Sequence, residues 1–125
     1  MKKALVMTAA TLSILATPAF AQNMPVSTFL EKADALKAKG MMAMLSPDIG
    51  VLKKEIQAAG LAARAERQAR EAAGKPRLAC PPEKVSMNSD ELIESFRAIP
   101  VAQRPRVTVK QAMTEMVRKR FPCPK

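Results

Sequence analysis

The sequence contains no histidine, no tryptophan and no tyrosine, and it has only four phenylalanines in 125 residues. Without histidine, the chain lacks the commonest general base and the commonest metal ligand of protein active sites. With so few aromatic rings, it also lacks a platform on which nucleic-acid bases could stack. We therefore predict no metal, no cofactor and no nucleic-acid partner.

Strand signals are scarce as well, because runs that alternate apolar with polar residues and are rich in β-branched or aromatic side chains are missing. Ala, Leu, Met, Lys, Glu, Gln and Arg dominate instead, and these residues favour helices. The composition predicts an all-α fold, a small domain of about four helices plus a short helical turn.

The amino terminus has the pattern of a secretory signal peptide. Two lysines precede an apolar run over 4–16, and Ala19-Phe20-Ala21 forms a small-x-small cleavage site. The run is too short to span a bilayer comfortably, and no later stretch approaches the roughly 20 apolar residues of a membrane helix. We expect a signal peptide over 1–21 and a single helical domain over 22–125, located in the periplasm or secreted.

Basic residues outnumber acidic ones by 21 to 11, which gives a formal net charge of +10. A surplus of this size favours anionic partners such as an acidic protein, a lipid head group or the cell wall. In an extracytoplasmic compartment, nucleic acid is the least expected of the anionic partners.

Four helix starts are predicted from residues that cap the first turn of a helix. The predicted caps are Thr28 with Glu31, Ser46 with Pro47 and Asp48, Asn88 with Glu91, and Thr108 with Gln111. Gly40 and Pro100 are predicted to end the first and third helices. The long helix, residues 48–73, would measure roughly 39 Å. Its distal half offers only alanines as an apolar face, so it is expected to protrude or fray or to form a dimer seam.

Two cysteines, Cys80 and Cys123, allow one intramolecular disulfide. Prolines flank Cys123 on both sides and hold it in a stiff tail after the last helix. An oxidising compartment favours the bond, although an intermolecular disulfide or two free thiols remain the alternatives. The pairing predicts that the carboxyl end is tied back to the loop at Cys80.

No residue pattern indicates catalysis, so the chain is not predicted to be an enzyme. No serine has a base at a helpful spacing, and the carboxylates Asp90, Glu91 and Glu94 are interpreted as the favourable first-turn charges of a helix. The methionines at 41, 42 and 44 invite a Cu(I) interpretation. Adaptable core filler is the preferred interpretation of these methionines, because the cluster lacks histidines and a repeated spacing.

Four arginines are candidates for contact with a protein partner. Arg64 and Arg67 lie three residues apart on the long helix, and Arg104 and Arg106 lie in a loop that prolines stiffen. Charged stripes are often only solvated faces, whereas exposed loops fixed by prolines often carry recognition. The oligomeric state and the identity of any partner are not predicted.

The carboxyl half contains, in order, "CPPEKVSMNSDELIESF", "IP", "VTVKQAM" and "RFPC". This order resembles the Tai/Rap group of type VI secretion immunity proteins, with the resemblance strongest over 80–123. Members of that group are small, secreted and mostly helical, and they bind and block a cell-wall amidase effector. The resemblance implies a secreted binding protein that inhibits such an amidase. The alternative is a periplasmic stress chaperone or envelope-stress factor without a dedicated partner.

Overall fold

The computed structural model describes residues 24–124. The prediction of an all-α fold is confirmed in this range, which contains four α-helices and a short 3₁₀ helix. The helices are α1 (Val26–Lys39), the 3₁₀ helix (Gly40–Leu45), α2 (Pro47–Ala72), α3 (Ser89–Arg97) and α4 (Val109–Arg120). None of the helices in this range is long and apolar enough to cross a membrane. The predicted signal peptide lies outside the described residues.

Three of the four predicted helix caps are confirmed. Asn88 and Glu91 form a reciprocal capping box at the start of α3, with distances of 2.9 and 3.1 Å. Thr108 and Gln111 do the same for α4, at 3.2 and 3.0 Å. At the start of α2, the Ser46 hydroxyl accepts a longer hydrogen bond of 3.4 Å from the Asp48 amide. In each case, a side chain satisfies an amide that the first helical turn leaves without a partner.

The predicted cap of α1, Thr28–Glu31, is wrong, because this helix begins earlier and has no side-chain cap. The Val26 amide donates to the carbonyl of Val107 at 2.8 Å, and the Ser27 amide donates to the carbonyl of Arg104 at 3.2 Å. The loop before α4 thus satisfies the free amides of the first turn through its backbone.

A short backbone pairing extends this contact. Pro25 and Thr108 form an isolated antiparallel bridge, and the Val109 amide donates to the Met24 carbonyl at 2.8 Å. The beginning of α1 and the beginning of α4 are therefore fastened side by side.

The core lies where α1 meets the other three helices. Phe29 and Phe96 contact edge to face, with ring centroids 5.2 Å apart, an arrangement that aromatic quadrupoles favour. Around this pair lie the other buried side chains of the cluster, which are Val26, Leu30, Ala33, Leu52, Ala59, Val109 and Ala112. α1 supplies the largest share of the core.

The long helix α2 packs most extensively against α4. Ala59 is fully buried and Ala63 is nearly so, because small side chains let a neighbouring helix approach closely. The alanine face is thus used within the domain as far as Ala63. Beyond it, the helix stays regular to Ala72 but contains no buried residue.

The Cys80–Cys123 disulfide is present, as predicted. It joins the segment between α2 and α3, residues 73–88, to the tail after α4. A backbone hydrogen bond of 2.8 Å from the Cys80 amide to the Phe121 carbonyl runs beside it. The 73–88 segment is therefore fixed to α4 although it has no regular secondary structure.

Candidate functional site

An open groove with a volume of about 1540 Å³ runs between α2 and the 73–88 segment. All four α-helices supply its floor, and the 3₁₀ helix borders one end. We refer to this concavity as the groove. It lies between the part of α2 beyond the core and the 73–88 segment, which returns from the end of α2 to the tail after α4.

The floor of the groove is apolar. The larger apolar side chains of the floor are partly buried and pack against the core. They include Leu36, Ile56, Leu92, Ile93 and Met113. Partly exposed apolar side chains in a concave surface are typical of a binding site, since a ligand completes their burial.

The wall formed by the 73–88 segment is held at several points. Besides the disulfide, the Arg70 guanidinium of α2 donates two hydrogen bonds to the Pro76 carbonyl, at 3.2 and 3.0 Å. Arg77 forms an ion pair with Glu71 of the same helix. Since Pro81 and Pro82 further restrict the backbone, the wall is preorganised.

The rim of the groove is positively charged. Arg64 and Arg67 line it from α2, and neither forms an ion pair within residues 24–124. Lys37 and Lys53, which line its other end, are likewise unpaired there. Glu83 is the only unpaired carboxylate of the lining in the described residues. The groove therefore favours an anionic ligand.

Arg118 contributes a further donor on the α4 side. Its guanidinium donates to the Glu115 carboxylate at 2.9 Å. The Nε atom of Arg118 is buried and has no hydrogen-bond partner among residues 24–124. The buried Nε is not accessible to a ligand in the groove, so Arg118 offers a ligand only the guanidinium nitrogen that Glu115 does not engage.

Arg104 and Arg106 lie apart from Arg64 and Arg67. The Arg104 guanidinium donates to the backbone carbonyls of Ile99 and Arg97, at 2.9 and 2.7 Å. Arg97 is the last residue of α3 and Ile99 lies two residues beyond it, so Arg104 acts as a carboxyl-terminal cap. That it also contacts a partner stays a prediction.

Arg106 is exposed and borders a shallower depression of about 710 Å³ between α2 and α4. Glu66 and Thr114 line both this depression and the groove and so separate the two. The four candidate arginines therefore do not form one surface. Arg64 and Arg67 line the groove, whereas Arg106 lines the shallower depression beside it.

A buried carboxylate was not anticipated from the sequence. Glu55 of α2 is 1% exposed and accepts a hydrogen bond from the Met24 amide at 3.2 Å. Burial raises the pKa of Glu55, and the hydrogen bond opposes part of that rise. Its position on the apolar face, three residues after Leu52 and four before Ala59, is the signal that could have revealed it. Glu55 does not line the groove, and its role is in packing.

The methionine cluster lies on the surface, so the interpretation as core filler is wrong. We call the 3₁₀ helix Gly40–Leu45 the methionine tip. Its large side chains are 92% exposed at Met41, 64% at Met42, 78% at Met44 and 79% at Leu45. The chain turns sharply out of α1 here, since Gly40 adopts a positive φ of 56°, a backbone conformation that glycine tolerates best.

No protein-family model matches the chain, and no curated protein or solved structure matches it at a significant level.

Proposed function

We propose that this protein is a secreted or periplasmic binding protein that receives an acidic segment of one partner protein in the groove. The observation that carries the proposal is the combination of an apolar floor with a rim of unpaired cations. The floor buries apolar side chains of the partner, and the cations attract an acidic partner and repel basic ones. No enzymatic activity is proposed.

The rigidity of the site supports a dedicated partner. A disulfide, two hydrogen bonds from Arg70 and an ion pair from Arg77 hold the wall before any ligand arrives. A preformed site loses little conformational entropy on binding, which favours high affinity. The disulfide is also compatible with an extracytoplasmic location, where such bonds persist.

The partner that best fits the sequence is a cell-wall amidase delivered by type VI secretion. Residues 80–123, which resemble the Tai/Rap immunity proteins, include part of the groove wall and the disulfide that fixes it. An immunity protein protects the cell by covering the active site of a toxin. We expect the groove to hold an acidic segment at the edge of that active site.

The test is the capture of a partner from an envelope extract on the oxidised protein, followed by titration of the purified pair. Arg64→Glu combined with Arg67→Glu should weaken binding at least tenfold, roughly 1.4 kcal/mol or more, since interface charge pairs of this kind contribute on that order. The matched control is Lys75→Glu combined with Lys119→Glu. It changes the net charge equally at two exposed residues outside the groove.

Unchanged affinity in the Arg64 and Arg67 variant would refute the groove as the binding site. Loss of affinity in Arg106→Glu alone would move the site to the neighbouring depression. If the extract yields no partner at one-to-one stoichiometry, a dedicated binding role is refuted.

A second candidate is a general chaperone, and the exposed methionine tip is the observation that favours it. Methionine side chains are flexible and polarizable and suit surfaces that bind many sequences. A chaperone would suppress the aggregation of several unrelated heat-denatured enzymes, measured by light scattering. An immunity protein would leave that aggregation unchanged.

A further inference from the structure

The methionine tip forms a convex apolar surface that the groove does not explain. Of its four large exposed side chains, only Met44 lines the groove, and Met41, Met42 and Leu45 line neither concavity. Side chains that project from a surface without a pocket fit a partner that can deform around them. An exposed apolar cluster of this kind on a small protein indicates an interaction site.

The same end of the molecule carries unpaired positive charge. Four exposed lysines flank the tip, two at the end of α1 and two in the second turn of α2. They are Lys37, Lys39, Lys53 and Lys54. None forms an ion pair within residues 24–124.

Negative charge at this end is already neutralised or shielded. Asp48 pairs with Lys32 at 3.0 Å, and Glu55 is buried in the core. No other carboxylate occurs between residues 37 and 55. The lysines around the tip are therefore not balanced by nearby acidic groups.

We propose that the methionine tip binds the surface of an anionic membrane. The apolar side chains enter the boundary between head groups and acyl chains while the surrounding lysines contact lipid phosphates, the combination by which peripheral proteins attach to bilayers. Lysines reach the head groups with their charged ends while their stems cover apolar surface. The contact is peripheral, since no helix in residues 24–124 is able to cross a membrane.

Other occupants fit the tip less well. A second copy of the chain would bring two sets of four lysines face to face, and like charges repel. A folded acidic protein would need a concave surface matched to the four projecting side chains of the tip. A bilayer surface needs no such match, and it supplies the negative charge. Lys37, Lys53 and Met44 also line the groove, but vesicle binding is measured without a protein partner, so the test of this proposal is separate from the test of the groove.

The absence of tryptophan and tyrosine makes a direct test available. In Met42→Trp, the introduced indole is the only one in the chain, so its fluorescence reports the tip alone. The control is Leu61→Trp, on α2 outside the groove, where the native leucine is 69% exposed. Each protein is expressed with its own amino-terminal segment, and its intact mass is recorded before use.

Each variant is titrated with phosphatidylcholine vesicles that contain phosphatidylglycerol and with vesicles of phosphatidylcholine alone. We expect a blue shift for Met42→Trp only with the anionic vesicles, and none for Leu61→Trp. A blue shift of both variants, or of neither, would overturn the proposal, and so would equal binding to the neutral vesicles.

Sedimentation with the same vesicles tests the lysines and methionines without a reporter. Lys53→Gln combined with Lys54→Gln should weaken binding roughly fivefold for each lysine, whereas Lys75→Gln combined with Lys119→Gln should change it little. Met41→Ser combined with Met42→Ser should weaken binding about tenfold or more. Vesicle binding that survives the serine variant would refute the tip as the membrane contact. If that variant instead lost the captured protein partner, the tip would be a protein-binding surface.

Discussion

Removing the Cys80–Cys123 disulfide should cost this protein a large part of its stability. The bond closes a segment with a sequence separation of 43, and on the chain-entropy model a loop of that length stabilises the folded state by about 4 kcal/mol. A domain of this size typically has only about 5–15 kcal/mol in total. We therefore expect Cys80→Ala combined with Cys123→Ala to lower the melting temperature by roughly 15–30 °C.

The loss should also appear at the groove. Without the disulfide, its wall is held by the hydrogen bond from the Cys80 amide to the Phe121 carbonyl and by the contacts of Arg70 and Arg77. Those contacts involve exposed or partly exposed groups, which contribute little each. We expect partner binding to weaken together with stability.

The assay is urea unfolding followed by circular dichroism, with the oxidised protein, the reduced protein and the double alanine variant compared. Loss of the crosslink lets the unfolded chain expand, so the dependence of the free energy on urea should become steeper as the midpoint falls. A loss below about 1 kcal/mol with an unchanged slope would refute the loop-closure reasoning. It would show that the remaining contacts fix the wall.

Two further changes test side chains whose roles are inferred from the structure. Because burial raises the pKa of Glu55 above its ordinary value of 4.5, the free energy of unfolding should fall as the pH rises from 4.5 through the raised pKa. Glu55→Gln keeps an acceptor for the Met24 amide. It should abolish that fall and raise the free energy of unfolding at neutral pH by more than about 0.5 kcal/mol. If the free energies of unfolding of the two proteins had the same pH dependence in a denaturation series, this expectation would be contradicted. Arg104→Met should cost about 1–2 kcal/mol through loss of the α3 cap, whereas the exposed Arg106→Met should change stability by less than about 0.5 kcal/mol; equal melting temperatures would refute the capping role.

The sequence predicted best those features that neighbouring residues decide. The caps at Ser46, Asn88 and Thr108 depend on a short side chain reaching an amide two or three residues away, so they can be recognised locally. The disulfide was predictable because only two cysteines are present in the whole chain. The end of α1 was also predictable, since Gly40 adopts a conformation that other residues avoid.

Features that depend on distant residues were missed. Thr28–Glu31 has the composition of a cap, but the carbonyls of Val107 and Arg104 stabilise an earlier start of α1. The methionines at 41, 42 and 44 resemble core residues in composition, yet no element covers them in the described structure. Local sequence does not show which distant segment of the chain will pack against a given residue.

The groove itself was not predicted; only two of its lining residues were named as candidates for partner contact. The spacing of Arg64 and Arg67 placed both on one side of α2, and the structure adds that both line an apolar concavity without ion pairs. The opposite wall comes from the 73–88 segment, whose course is set by a crosslink and by Arg70. Since that segment has no periodic pattern, its position could not be read from hydrophobic spacing.

The pairing of Met24–Ser27 with residues 104–109 has a consequence for the order in which the chain folds. Helix α1, the first in residues 24–124, receives its amide partners, and the aromatic contact of Phe29 with Phe96, only from residues made near the end. Contacts between such distant residues stabilise the chain only after a long loop has closed, and that closure costs conformational entropy. We therefore expect the emerging chain not to complete its core until almost all of it is available. Products truncated before residue 104 lack the partners that complete α1, and we expect them to be substrates for proteases.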